Sequence, residues 1–118
     1  MKIIYNSKII PFKRFRAIYL FGVLFVRGSR PLTESTINHE LTHDRQCKEM
    51  LFVFFYLWYC IEWIVRIFQY GIGDAYYLIS FEREAYRNQF NPDYLKTRKR
   101  FEFMKYLKKY NYGQSKRG

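Results

Sequence analysis

The residues in this chain best suited to chemistry are two histidines four positions apart with a glutamate between them, His39-Glu40-Leu41-Thr42-His43. On a helix, His39 and His43 share one face with about 5–6 Å between their Cβ atoms, so both imidazoles reach a single metal ion. That spacing suits zinc. Glu40 sits one residue round the helix from His39, off the ligand axis but within reach of a water in the metal's open position, so it is the natural general base. A catalytic zinc site wants three protein ligands, and the downstream carboxylates Glu82 and Glu84 are the candidates for the third. Without a third ligand, the five-residue pattern reads equally well as a chance match on an exposed helix.

The elements that must position these groups can be read in outline. Residues 2–5 and 8–10 have strand character, with Asn6-Ser7 as the turn between them and Pro11 as a stop. The apolar run 17–26 follows a basic stretch, in the manner of a signal peptide. It lacks a small-x-small cleavage site, however, and its β-branched and aromatic residues read as one strand. A small antiparallel sheet is therefore expected at the N-terminus. After Gly28 to Pro31, Thr33 or Ser35 can cap the motif helix, whose first turn carries Glu34 near the positive end of the dipole. No Gly or Pro occurs from Leu32 to Tyr70. An unbroken helix from Ser35 to Gly71 would run about 54 Å, so a bend is expected within residues 48–55.

Continuing the histidine face past that bend puts Met50, Phe54, Leu57, Ile61, Ile64 and Phe68 on the core side. Asp44, Lys48, Phe55, Tyr59 and the i,i+4 pair Glu62 and Arg66 then lie on the opposite side. Residues 50–70 are also long and apolar enough to be a transmembrane candidate. The charged pair makes a span costly, and a core helix, a helix lying on a membrane, or a self-association surface are the alternatives. Asp74 can cap a second helix reaching Asn88, and residues 92–110 read as a third, basic helix before a loose tail at 114–118.

Composition limits the partners. The 118 residues form one domain's worth of chain, with 21 Lys and Arg against 10 Asp and Glu, a formal net charge of +11. Such a molecule is drawn to anionic surfaces. Nucleic acid is the disfavoured one, because no nucleic-acid-binding signature accompanies the basic C-terminal segment. Aromatic residues make up 22% of the chain, which demands a bulky core or surfaces that meet something apolar, an anionic membrane surface or a second copy of the chain among them. Cys47 and Cys60 would lie about 20 Å apart along one helix, too far for a disulfide, and reduced thiols point to the cytoplasm.

Taken together, His39, Glu40 and His43 followed by Glu82, Ala85 and Tyr86 resemble the gluzincin class of zinc metallopeptidases. The resemblance is closer to small members whose downstream helix reads Glu-x-x-Ala. It covers about residues 17–88 and extends to a predicted-metallopeptidase family of small basic proteins with a Glu-Arg-Glu-Ala-Tyr segment. It implies an α+β fold, a minimal gluzincin-like core of an N-terminal antiparallel sheet followed by three helices. It also implies one zinc ion on His39, His43 and Glu82, with Ala85 small so that the two helices can approach. Glu84 would then point about 200° away from Glu82 and be a surface or supporting residue. The family often has an acidic residue where this chain has Tyr86, whose hydroxyl would instead accept a ligand histidine's proton or, with other tyrosines, serve an oxyanion. The implied activity is hydrolysis of a peptide or protein substrate, in the cytoplasm or peripheral to its membrane. The alternative is a non-enzymatic, basic, aromatic-rich module that binds a membrane surface or nucleic acid.

Overall fold

The computed structural model describes residues 1–8 and 16–108. The expected strand at 8–10, the stop at Pro11 and the tail at 114–118 lie wholly or largely outside these residues. Three short strands open the chain: β1 (Lys2–Ile4), β2 (Ala17–Leu20) and β3 (Val23–Val26). The order is β1-β3-β2, with β3 antiparallel to β2 but parallel to β1, so the sheet is mixed where a purely antiparallel one was expected.

The run 17–26 is a hairpin and not one strand. Phe21 (φ 49°) and Gly22 (φ 86°) both adopt positive φ, as a two-residue hairpin turn of primed type requires. The Phe21 N–H donates to the Tyr56 hydroxyl at 2.9 Å, which ties this turn to a helix 35 residues away. The hairpin leaves β2 as an edge strand.

Helix α1 (Glu34–Glu49) begins at Thr33, whose hydroxyl accepts the Thr36 N–H at 3.2 Å. It ends within the expected window. Leu51 and Phe52 both have φ near +55°, and the following helix α2 (Val53–Tyr70) leaves at 111° to α1. The Phe52 N–H still reaches the Cys47 carbonyl at 2.8 Å, and the Phe52 ring packs on the core of Cys47, Phe55, Ile79, Phe81 and Phe103. No single helix among the described residues is long and apolar enough to cross a membrane; α1 and α2 meet that test only as a bent pair.

The bend resets the phase of α2, and the expected core stripe faces outward from Phe54 onward, while Met50, before the bend, packs against the core. Phe54, Leu57, Ile61 and Ile64 are each more than half exposed and Phe68 is 87% exposed, while Phe55, Glu62 and Arg66 are buried. The inward polar pair has work to do. The Glu62 carboxylate accepts the Ser80 N–H at 2.6 Å and the Ser80 hydroxyl, holding the N-terminus of α4 (Ser80–Asn88). Arg66 pairs with Glu62 and donates to the Leu107 carbonyl at 2.8 Å.

The second helix was expected to start at Asp74. Instead, Asp74 lies in a single turn, α3 (Ile72–Ala75), followed by a 3₁₀ turn, and α4 starts only where Glu62 can cap it. The expected long basic helix is likewise absent among the described residues. Only α5 (Tyr94–Thr97) forms before Arg98 turns extended and Phe101 takes φ 59°, and a 3₁₀ segment follows at Glu102–Tyr106. Buried arginines explain the interruption. Arg98 is drawn in between Glu49 and Glu84, and Arg83 of α4 donates to the carbonyls of Tyr106 and Lys108.

Candidate metal centre

Helix α1 carries an unusually polar buried face: Asn38, His39, Thr42, His43 and Gln46 all lie inside, against α4. Buried polar groups must be hydrogen-bonded, and here the partners fix orientation. The Asn38 amide nitrogen lies 2.9–3.1 Å from the carbonyls of Asn88, Gln89 and Asn91 and shares its two hydrogens among them, closing the C-terminal end of α4 against α1. The Gln46 amide donates to the Phe81 carbonyl at 3.1 Å and to Glu84 Oε1 at 2.9 Å. Both amide hydrogens are then used, so Gln46 Oε1 faces His43 Nδ1 at 2.8 Å as an acceptor. Gln89 Oε1 stands at 2.8 Å from His39 Nδ1 in the same role. Each histidine therefore carries its proton on Nδ1 and turns an Nε2 lone pair inward.

Those lone pairs converge. His39 Nε2 and His43 Nε2 are 3.1 Å apart, and Glu82 Oε1 lies 3.3 Å from the first and 3.1 Å from the second. Three acceptor atoms this close repel one another unless a proton or a cation sits among them. Burial would lower the His43 pKa, yet the Glu82 charge and hydrogen bond outweigh it and push it up to about 9. Burial alone would raise the Glu82 carboxyl, but the His43 charge and the bonds from both histidines hold it well below the usual range. His39, His43 and Glu82 are thus a buried group that can hold a metal ion, and the donor set, two neutral imidazoles and a carboxylate each braced from behind, fits one. The second Glu82 oxygen accepts the Tyr59 hydroxyl at 2.7 Å.

The other candidates are placed as follows. Glu40 lines a cleft of about 240 Å³ beside His43 and Glu82, and burial raises its carboxyl pKa. Glu84 is fully buried, not at the surface. It is bonded to Gln46, Tyr94 and Arg98, and so supports His43 through Gln46. Tyr86 does not take a histidine proton, because Gln89 fills that position; its ring packs edge-on against His39 with centroids 4.5 Å apart. Ala85, one turn beyond Glu82, has no exposed surface. Sequence reasoning missed Gln46, Gln89, Asn38 and Tyr59. Gln46 alone left a signal, three residues after His43 on the same helix face.

The cleft's far wall is β2, from Ala17 to Leu20, with Tyr56, Tyr59 and Tyr76 closing its sides. Comparison with family models, with curated proteins and with solved structures gives no match.

Proposed function

We propose that the protein is a zinc-dependent metallopeptidase of gluzincin type, hydrolysing peptide bonds in the cleft between β2 and α1. The observation that carries this reading is the convergence of two Nδ1-protonated histidines and Glu82 on one point, beside an ionisable Glu40 in an open cleft. A structural zinc site is closed by four protein ligands, whereas three ligands and a neighbouring base suit catalysis. Zinc bound there supplies Lewis acidity, polarising a carbonyl and making water a stronger acid.

The chain's own groups do the rest. Gln46 and Gln89 hold the imidazoles in the ligating tautomer. Tyr59 fixes the rotation of the Glu82 carboxylate. Glu40 takes the proton of the attacking water and returns it to the leaving amine, a task for which a carboxyl raised by burial is better matched than an exposed one. The free edge of β2 pairs with an extended substrate by strand addition, which presents a peptide carbonyl along the cleft. The two free cysteines, Cys47 buried and Cys60 exposed, fit a reducing, cytoplasmic setting.

Elemental analysis of untagged protein should find about one zinc per chain, removed by the double substitution of His39 and His43 with Ala. Cleavage of a broad peptide library by wild type and by Glu40→Gln at equal zinc occupancy then tests the chemistry. Glutamine keeps the size of Glu40 but cannot accept the proton, so activity should fall by roughly 10²–10⁴. A fully zinc-loaded wild type that cleaves nothing would reduce the site to a structural one.

A further inference from the structure

We infer that the outward face of α2 docks on an anionic lipid bilayer, with the helix lying in the plane of the interface. Over its 18 residues α2 contains two charged side chains, Glu62 and Arg66, and both are buried against each other and Ser80. Its exposed surface therefore carries no charge at all. Val53, Phe54, Leu57, Ile61, Ile64 and Phe68 present an apolar strip along a helix about 27 Å long, and Leu51 and Ile72 extend it at the two ends. This is the reverse of an ordinary surface helix, which turns its polar side to water. Beside the strip runs an apolar groove of about 800 Å³, completed by Phe101 and Leu107 from the C-terminal segment.

Charge selects the occupant. Arg100 precedes Phe101, Lys108 follows Leu107 and Lys99 stands one residue further out, all three exposed, while Lys105 between them is paired with Glu102. An apolar strip bordered by cations matches the boundary between acyl chains and anionic headgroups, where apolar burial and electrostatic attraction add. A second copy of this chain would bring another +11 molecule against the same cations, which opposes a homodimer through this face. The inner side of α2 carries Phe55 and Tyr59 into the metal cleft, so docking sets that cleft about one helix diameter from the headgroups.

The test uses the full chain and vesicles of phosphatidylcholine alone or with phosphatidylglycerol. Wild type should float with the anionic vesicles at low salt, weaken as salt rises, and be released by alkaline carbonate. Trp58, which lines the groove beside the strip, should be quenched by lipids brominated in their upper acyl chains, a readout that needs no variant. Leu57→Asp with Ile61→Asp should abolish flotation while leaving zinc content unchanged, since both sites are exposed and outside the metal centre. Reversing Lys99, Arg100 and Lys108 to Glu should weaken anionic binding by at least roughly a hundredfold, at about fivefold per cation. Unquenched Trp58 with wild type at the bottom of every gradient would overturn the proposal. So would a concentration-dependent dimer that the Asp variants convert to monomer, and so would protein that resists carbonate, which marks a spanning helix.

Discussion

Helices α1 and α2 are neighbours in sequence and close in length, yet they break the usual burial rule in opposite ways. Helix α1 hides histidines, an asparagine and a glutamine; α2 hides a glutamate and an arginine while showing water its phenylalanines and isoleucines. In both, the buried polar groups are held by named partners, so neither is a folding defect. The difference lies in what the polar groups are for. On α1 they aim lone pairs at a common point that only a proton or cation can satisfy. On α2 they are consumed in holding α4 and the C-terminal segment, which leaves the outer face free to serve another surface. Hydropathy alone is a poor guide to which side of a helix faces inward when a site or an interface has claimed the other side.

The comparison breaks most easily at Glu62. Removing one partner from a buried, hydrogen-bonded ion pair leaves the other uncompensated, and Glu62→Ala also uncaps α4, so unfolding stability should fall by about 3–5 kcal/mol. Leu57→Ala on the same helix faces out and should stay within about 0.5 kcal/mol in the absence of lipid. Denaturant titration of the two variants measures the contrast. Equal losses would mean that the outer face is packed in solution, which contradicts the inverted helix.

On α1 the matching test is Gln46→Leu. It removes the acceptor behind His43 Nδ1 and leaves the metal-facing atoms in place, so zinc affinity should drop by about 10–100-fold, about 1–3 kcal/mol. Gln89→Leu should act in the same direction through His39. Competition with a chromophoric chelator reads both. Unchanged affinity in both would mean that the histidines ligate through a different tautomer.

How much of this was legible follows from how far apart the cooperating residues lie. His39, Glu40 and His43 can be read because helical periodicity alone places them, and Glu82 followed one helix later. The break near residue 51 was expected from length, and a stop at Gly71 from glycine's freedom at positive φ. The rotation of α2 was not legible, because two residues at positive φ reset the helical phase and nothing in a Met-Leu-Phe run announces them. Sequence left Glu84 as either a surface or a supporting residue for a related reason. Its burial depends on Arg98, 14 residues away, and the same arginine disrupts the helix that the basic run suggests. The hairpin at Phe21-Gly22 had a visible signal in Gly22, overridden by the apolar run on both sides.

Protonation gives a graded test of the α1 side. In the metal-free protein the Glu82 contact raises His43 to about 9, above the roughly 6.5 of an unfolded histidine. The folded state therefore binds the proton more tightly. The stability this contributes is complete below pH about 6.5 and is lost as pH rises through about 9. A cation bound there would have to displace that proton, so under the proposed function the apparent zinc affinity should rise by about tenfold per pH unit, about 1.4 kcal/mol, and level off above about 9. Calorimetry in buffers of different ionisation enthalpy should count one proton released per zinc near neutral pH. No release would show that the histidines are already neutral and that another group neutralises the cluster.

The smallest effect concerns the first of the two residues that set the helices apart. Leu51 is exposed, with φ 54°, a conformation that costs a residue with a Cβ about 1–2 kcal/mol. Glycine adopts it freely but loses more chain entropy on folding, so Leu51→Gly should gain no more than about 1 kcal/mol and raise the melting temperature by a few degrees. Leu51→Ala keeps the strain and loses the same exposed side chain, so it should gain nothing. Comparing the two separates backbone relief from the loss of apolar surface. If glycine destabilises the protein while alanine does not, the left-handed turn at Leu51 is not what holds α2 with its charged pair inward, and the packing of Phe52 against Phe21 becomes the better account of the bend.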